Sequence, residues 1–253
     1  MNPIEKSFHR NNTISTLFCV LAAILISAGY QVEAGNQKAG VLEIRKQIEY
    51  LLYLPDNYEA EEKWPLIVFL HGAGERGDDI EKVKVHGPPK LVESGKKFPF
   101  IILSPQCPTG RRWSTDTLLD LLDDISSRYK VDAERVYLTG LSMGGYGTWD
   151  LASRDSYRFA AIAPICGGGN PSRARRMAHL PIWVFHGGKD GVVPISQSES
   201  MVDAIKAAGG TKIDFTIYPD ARHDSWTEAY NNPKLYDWFL QHKKQERRRR
   251  GTR

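Results

Sequence analysis

The stretch TGLSMGGYGTW, residues 139–149, decides the fold, and it follows the strand-like run ERVYL at 134–138. Ser142 has a glycine two residues before it, Gly140, and another two residues after it, Gly144. In a sharp strand-to-helix turn the central residue is strained, and bulky neighbours at these two positions would collide. The helix N-terminus after the turn favours negative charge. The pattern predicts a nucleophilic serine, with an ordinary tight turn as the alternative.

Apolar, strand-like runs alternate with helix-like stretches along the chain. The predicted strands are residues 48–55, 65–72, 100–106, 135–140, 159–168, 181–188 and 212–219. The predicted helices are residues 115–129, 146–154, 197–210 and 232–244. Strands that are joined by helical crossovers form a mostly parallel sheet with helices on both faces. The fold class is therefore α/β, and a ligand site is expected at the carboxyl ends of the strands.

Four of these strands end in polar or glycine-rich segments that would meet at one edge of the sheet. The segments are HGAGERGDD (71–79), GLSMGG (140–145), HGGKDGVVP (186–194) and DARHDSW (220–226). The carboxyl edge of a parallel sheet is where catalytic groups from different loops come together. The residues that assist the serine are therefore expected in these four segments.

A serine hydroxyl is a weak nucleophile near neutral pH and needs a general base. His223 is the predicted base because it lies in a loop beyond the last strand, whereas His186 ends a buried strand and His242 lies among lysines. The base needs a carboxylate that fixes its tautomer. Asp190 is the predicted carboxylate, with a simple turn aspartate as its alternative role and Asp150 as a weaker candidate.

Two backbone N–H groups are expected to stabilise the oxyanion of the reaction. Met143 follows the serine and supplies the first. Ala73, in the loop LHGAGERG (70–77), is the predicted second donor, and Gly72 or Gly74 are alternatives. An ordinary glycine-rich turn is the other interpretation of this loop. The loop lacks the patterns of a P-loop and of a dinucleotide site, so no cofactor is predicted.

The four segments together resemble the α/β-hydrolase superfamily over nearly all of residues 45–240. The chain is most similar to the group that contains esterase D, polyhydroxybutyrate depolymerases, feruloyl esterases and phospholipase/carboxylesterase-like "predicted peptidases". Ser142, Asp190 and His223 occur in the order that α/β-hydrolases use. The resemblance implies an eight-stranded, mostly parallel sheet with the strand order 1-2-4-3-5-6-7-8.

That strand order places Cys107 and Cys166 three inter-strand steps apart. Three steps are about 14 Å, whereas a disulfide needs Cα atoms within about 7 Å. An exported chain can form disulfides. Because of the separation, however, both thiols are predicted to be free.

Lipase-like members of the superfamily carry a large lid, but the corresponding segment here, 167–180, is short and basic. Together, the resemblance and this minimal lid imply an open site for carboxylic esters, either short-acyl or carbohydrate-linked. His71, His86, Trp113 and Trp226 are the predicted substrate-binding residues, with plain packing as the alternative.

Two other function classes stay open. A serine peptidase of the prolyl-oligopeptidase type would share the catalytic domain, but the chain has no room for the accessory domain that those enzymes usually carry. A non-catalytic hydrolase-like binding protein would usually have lost a triad residue, and all three are present. The chain contains neither the H-E-x-x-H motif nor paired cysteines, so no metal site is predicted.

The chain is expected to have three parts. Residues 1–34 are predicted to be a cleaved signal peptide, 35–246 the catalytic domain and 247–253 a basic disordered tail. The apolar run at 16–29 is about 14 residues long, and a transmembrane anchor, which is the alternative, needs about 20. Export to a periplasm or out of the cell, and no membrane contact after cleavage, are therefore expected.

The charge distribution gives no sign of a nucleic-acid partner. The net charge is +4, but five arginines lie in the tail 247–253, so the remainder of the chain carries −1. No aromatic residues alternate with the basic ones, as they would on a single-strand binding face. The predicted partner is therefore a small-molecule or glycan ester. The sequence does not predict an oligomeric state.

Overall fold

A single seven-stranded sheet runs through the part of the chain that the computed structural model describes, residues 47–244. The strands are β1 (Tyr50–Tyr53), β2 (Trp64–Leu70), β3 (Ile101–Pro105), β4 (Val131–Leu141), β5 (Ala161–Ile165), β6 (Ile182–Gly187) and β7 (Ile213–Tyr218). Their spatial order is β1-β3-β2-β4-β5-β6-β7. Only β1 is antiparallel to its neighbour, β3. The signal peptide predicted at 1–34 and the tail predicted at 247–253 lie outside the described residues.

The mostly parallel sheet confirms the expected α/β-hydrolase fold, with one correction to the number of strands. Residues 47–244 contain seven strands and not eight. Their spatial order is the one that the resemblance implies, 1-2-4-3-5-6-7-8, without its first strand. Only three described residues precede β1, too few to form the missing strand.

Both faces of the sheet are covered by helices. Leu66, Val68 and Leu70 of β2 belong to one apolar core, while Ile67 and Phe69 belong to the other. This alternation is the period of a strand that is buried on both sides. Helices α2 (Thr115–Arg128), α3 (Met143–Arg154) and α4 (Ser196–Ala207) contribute to the first core, and α1 (Gly87–Glu93), α5 (Trp226–Asn231) and α6 (Pro233–Leu240) contribute to the second.

Two of these helices, α1 and α5, were not predicted. Helix α1 is seven residues long and has prolines in its first turn, and α5 has six residues. Segments this short carry less than two turns of apolar periodicity, which is too little for the pattern to be recognised. Within residues 47–244 no helix is both long and apolar enough to cross a bilayer.

The strand pairing brings the functional loops to one edge. Leu70 at the end of β2 pairs with Gly140 in β4, and Gly140 in turn pairs with Pro164 in β5. The segment 167–180, which was expected to be a minimal lid, contains one short 3₁₀ helix, Pro171–Arg176. The carboxyl edge therefore stays open above the turn that follows β4.

Candidate active site

Ser142 lies in a sharp turn between β4 and α3, with backbone angles φ 51° and ψ −115°. A positive φ is unfavourable for a residue with a Cβ, so the surrounding structure must enforce it. A Cβ on Gly140 would overlap the carbonyl of Gly144, and a Cβ on Gly144 would overlap the carbonyl of Leu70. The two glycines therefore allow the close packing that holds the Ser142 hydroxyl at the edge of the sheet.

A row of hydrogen bonds joins three side chains from three different loops. Ser142 Oγ lies 2.9 Å from His223 Nε2, and His223 Nδ1 lies 2.7 Å from Asp190 Oδ2. Asp190 follows β6 and His223 follows β7, so both lie in loops at the carboxyl edge of the sheet, which also carries the turn after β4. The weaker candidate, Asp150, lies away from this row and pairs with Arg173 at 2.7 Å.

The Asp190 carboxylate is buried and fully hydrogen-bonded. Its Oδ1 accepts the N–H groups of Val192 and Val193, each at 2.9 Å. Burial alone would raise the pKa of Asp190, but the hydrogen bonds from His223 and from the two N–H groups lower it below its ordinary value. An ionised Asp190 keeps the proton of His223 on Nδ1. Nε2 is then free to accept the proton of the Ser142 hydroxyl.

Ala73 and Met143, the predicted oxyanion donors, line the same cavity as Ser142, and its volume is about 580 Å³. Met143 is the first residue of α3, so its N–H has no acceptor within the helix. The N–H of Ala73 also has no acceptor among residues 47–244. Both N–H groups are thus available to a negative oxygen bound at Ser142.

Trp113 is a predicted substrate-binding residue that the structure places on this cavity. Its Nε1 donates a hydrogen bond to the carbonyl of His71 at 3.2 Å. The two rings also meet edge-on, with their centroids 4.8 Å apart. These contacts fix the indole as part of the cavity wall.

The dienelactone hydrolase family matches residues 108–245, which is more than half of the chain. This range contains Ser142, Asp190 and His223. The chain belongs to the dienelactone hydrolase family. This family is part of the α/β-hydrolase superfamily, so the assignment agrees with the strand order of the sheet.

Curated relatives of this family member include two esterases by name. A bifunctional acetylxylan esterase/xylanase of Neocallimastix patriciarum is 27% identical over 200 residues, which is 74% of this chain and 27% of that protein. The "Probable feruloyl esterase C" of Aspergillus niger is 25% identical over 201 residues, 74% of this chain and 72% of that protein. The chain thus spans about a quarter of the first relative and nearly three quarters of the second.

Solved structures with the same fold include a thermostable esterase. It is 34% identical with a TM-score of 0.68, and the match covers 78% of this chain and 59% of that one. An acylaminoacyl peptidase of Pyrococcus horikoshii has a TM-score of 0.60 at 18% identity, covering 83% of this chain and 41% of that one. At that identity, the second likeness shows the fold alone.

His71 was predicted to bind substrate, but in this family member it lies beneath the cavity. Its side chain is fully buried, Nε2 accepts the N–H of Cys107 at 2.9 Å, and Nδ1 lies 2.6 Å from the carbonyl of Gly72. The proton therefore sits on Nδ1. The pKa of His71 is lowered to about 4: burial is the main cause, the hydrogen bond to the Gly72 carbonyl opposes it, and the charge of Arg76 adds to it. His71 is thus a neutral group that fastens the loops after β2 and β3.

His86 and Trp226, the other predicted substrate-binding residues, line a separate cavity of about 50 Å³. Their ring centroids are 5.3 Å apart. Trp226 also meets the ring of His223 edge-on at 5.2 Å. The structure therefore places Trp226 against the histidine of the row, whereas neither residue lines the cavity at Ser142.

Four polar residues on the cavity wall were not predicted: Arg76, Arg112, Tyr146 and Asn170. Tyr146 lies four residues after Ser142, which places it one helical turn further on the same face. Arg76 belongs to the glycine-rich loop and Arg112 precedes Trp113, so both had a positional signal. No sequence signal distinguished Asn170.

Cys107 and Cys166 are buried and free, which confirms the prediction from the strand order. Ligand atoms of Cys166, Asp190 and His223 lie within 4.8 Å of one another. Burial raises the pKa of the Cys166 thiol to about 12, so the thiol is protonated at neutral pH. A metal ion would have to remove that proton and break the bond between Asp190 and His223. The arrangement suits a hydrogen-bonded row better than a metal centre.

Proposed function

We propose that this dienelactone hydrolase family member is an exported serine hydrolase that cleaves carboxylic esters, either short-acyl or carbohydrate-linked. The single observation that carries the proposal is the hydrogen-bonded row from Ser142 through His223 to Asp190. A hydroxyl beside an imidazole whose tautomer is fixed by a carboxylate is the arrangement for acyl transfer through a covalent intermediate.

In the proposed reaction His223 Nε2 takes the proton of Ser142 as Oγ bonds to the ester carbonyl carbon. The N–H groups of Ala73 and Met143 hold the carbonyl oxygen while it is negative. The C–O bond to the alcohol then breaks, and the alcohol leaves with the proton from His223. Water attacks the acyl-serine by the same route, so the acid is released and Ser142 regains its proton. Asp190 stays ionised and orients His223 throughout.

The cavity wall and the named relatives support the proposed substrate class. Charged side chains of Arg76, Arg112 and Asp150 line the cavity together with Asn170. A long alkyl chain would have to desolvate these groups, which is unfavourable. A short acyl group on a polar partner would leave them solvated or hydrogen-bonded. Two curated relatives carry acetylxylan esterase and feruloyl esterase in their names, which supports a carbohydrate-linked ester.

Hydrolysis of p-nitrophenyl esters from acetate to octanoate tests the proposal, with the wild type beside Ser142→Ala. Wild-type turnover is expected to fade as the acyl chain lengthens. Ser142→Ala is expected to lower kcat at least about 10³-fold, because it removes the nucleophile and leaves only binding and the oxyanion donors. Ser200→Ala is the matched control, since Ser200 is exposed on α4 and its hydroxyl bonds only within the helix.

Two outcomes would contradict the proposal. Wild-type turnover in Ser142→Ala would remove the nucleophile assignment. A folded wild type that hydrolyses no ester would favour a peptidase or a non-catalytic binding protein instead.

The proposed export depends on residues 1–34, which lie outside the described part of the chain. The mature protein is expected to begin at Gly35 because Val32 and Ala34 provide small residues before the cleavage site. N-terminal sequencing of the protein from an exporting host checks this. A mature chain that retains the apolar run at 16–29 would favour an anchor.

A further inference from the structure

His186 is a fully buried histidine at the end of β6 that the proposed reaction does not use. A polar ring without exposure must find its hydrogen bonds inside the protein. Its Nδ1 lies 2.7 Å from the hydroxyl of Ser198, and its Nε2 lies 2.9 Å from the carbonyl of Val193. Nε2 also lies 3.3 Å from Asp190 Oδ2, the same oxygen that His223 contacts.

The partners of Nε2 decide where the proton of His186 sits. The Val193 carbonyl and the Asp190 carboxylate can only accept hydrogen bonds. An unprotonated Nε2 would turn its lone pair towards two oxygens, at 2.9 and 3.3 Å, in a site with no water-exposed face. Nε2 must therefore carry a proton. The Ser198 hydroxyl lies 2.7 Å from Nδ1 and 3.1 Å from the Gly167 carbonyl, and with the His186 proton on Nε2 it donates to Nδ1.

We propose that His186 is a positioning residue for Asp190. Its Nε2–H donates to the Val193 carbonyl and so fixes the turn whose N–H groups bind Oδ1, and the same nitrogen lies 3.3 Å from Oδ2, close enough for the partial positive charge of its N–H to act on the carboxylate. The inference deepens the proposed serine-hydrolase function and rests on it. Oδ1 then accepts the Val192 and Val193 N–H groups, while Oδ2 accepts the N–H of His223 and lies near that of His186. The carboxylate cannot rotate without losing several of these bonds.

Few other charged or titratable groups face Asp190. Cys166 lies within 4.8 Å of it and is held protonated by burial. Tyr146 of α3 is close enough for the Asp190 charge to contribute to its pKa, which burial raises above its ordinary value. Lys189 is next in sequence but pairs with the exposed Asp220 at 2.6 Å. His186 and His223 are thus the groups that share the Asp190 charge most directly.

Removal of the His186 N–H should change how strongly Asp190 stabilises the protonated form of its other partner, His223. Without the partial positive charge of that N–H near Oδ2, the Asp190 charge is less compensated, and the imidazolium form of His223 is favoured. The acidic limb of the kcat/KM profile should therefore move to higher pH. A loss of packing alone would lower stability and would leave the midpoint of that limb in place.

The experiment compares pH profiles of kcat/KM for wild type, His186→Leu, His186→Gln and Ser198→Ala on p-nitrophenyl acetate. In His186→Leu, the midpoint of the acidic limb is expected to rise by about 0.5 to 1 pH unit. kcat should fall about tenfold with little change in KM, because the turn after Asp190 loses the hydrogen bond at the Val193 carbonyl and Oδ2 loses its contact with Nε2. His186→Gln can donate through its amide and should restore most of both properties.

Ser198→Ala is the matched control because it touches the same imidazole on the side away from Asp190. It should lower the melting temperature and leave the acidic limb unchanged. A folded His186→Leu variant whose profile overlays that of the wild type would overturn the proposal.

A measurement on the wild type keeps the inference testable if His186→Leu does not fold. Long-range ¹H–¹⁵N spectra, with His186 assigned through His186→Gln, should show Nε2 of His186 protonated near neutral pH. An unprotonated Nε2 would overturn the inference whatever the activity. The same spectra of Ser142→Ala separate the two claims, since the tautomer should persist there even if Ser142 proves not to be the nucleophile.

Discussion

The hydrogen-bonded side of the site, formed by His223 and Asp190, and the cavity wall at Arg112 are held in different ways. On the first side the side chains contact backbone groups or one another within 2.7–2.9 Å. On the wall, the guanidinium of Arg112 makes no hydrogen bond or ion pair within residues 47–244.

This difference matches the different requirements of proton transfer and of substrate binding. Groups that exchange protons need fixed distances, because a small displacement lowers the rate strongly. Groups that contact a substrate can adapt, because the substrate itself orders them. We therefore expect substitutions on the first side to be costly, and substitution of Arg112 on the wall to be tolerated by the fold.

The largest effect is expected for the turn that carries the serine. Gly144→Ala places a Cβ against the backbone carbonyl of Leu70, and backbone atoms cannot move aside as a flexible side chain can. The free energy of unfolding is expected to fall by about 3 kcal/mol or more, at the upper end for overpacking. Urea denaturation measures this change.

Gly74→Ala is the matched control for this comparison. A Cβ on Gly74 would meet no atom within 4 Å. The free energy of unfolding is expected to rise by about 0.4 to 1 kcal/mol, because such a change mainly restricts the unfolded chain. Equal losses in the two variants would show that the β4–α3 turn is not the rigid part of the site.

The sequence was informative about the fixed side for a physical reason. A parallel sheet brings the ends of its strands to one edge, so the positions of Ser142, Asp190 and His223 after three strands were enough to place them together. Gly140 and Gly144, on either side of the serine, indicated that backbone segments approach each other closely at the turn. Seven strands could be recognised from their apolar runs, whereas the eighth came only from the resemblance.

The sequence was less informative wherever the direction of a side chain decided the outcome. His71 follows a strand as His223 does, but its ring turns inward and bonds to Gly72 and Cys107. His86 also lies near the site without lining its cavity. Asn170 reaches the cavity through the course of a loop that no local pattern specifies.

His71 provides the second test, with an intermediate effect on stability. Its pKa is lowered from 6.5 to about 4 on folding, so between these values the unfolded chain binds more protons than the folded one. Stability contributed by neutral His71 is therefore present above pH 6.5 and is lost as the pH falls towards 4. The loss between pH 7 and pH 5 should be about 2 kcal/mol.

The measurement is the free energy of unfolding at both pH values for wild type and His71→Gln. The variant lacks the titrating ring. Between pH 7 and pH 5 its free energy of unfolding should therefore fall by about 2 kcal/mol less than that of the wild type. Other buried histidines contribute equally to both proteins and cancel in the difference. Equal slopes in the two proteins would mean that His71 is not the neutral anchor beneath the cavity.

The smallest effect is expected on the adaptable wall. Arg112→Gln should change the free energy of unfolding by less than about 0.5 kcal/mol, because no ion pair is lost. Its effect on hydrolysis should be confined to KM and stay within about tenfold. Arg76→Gln is the matched comparison. Arg76 donates to the carbonyls of Ala73 and Arg111 and so holds the loop of one oxyanion donor. The Arg76→Gln variant should therefore lower kcat as well. If Arg112→Gln lowered kcat as much as Arg76→Gln, the wall would be part of the fixed side.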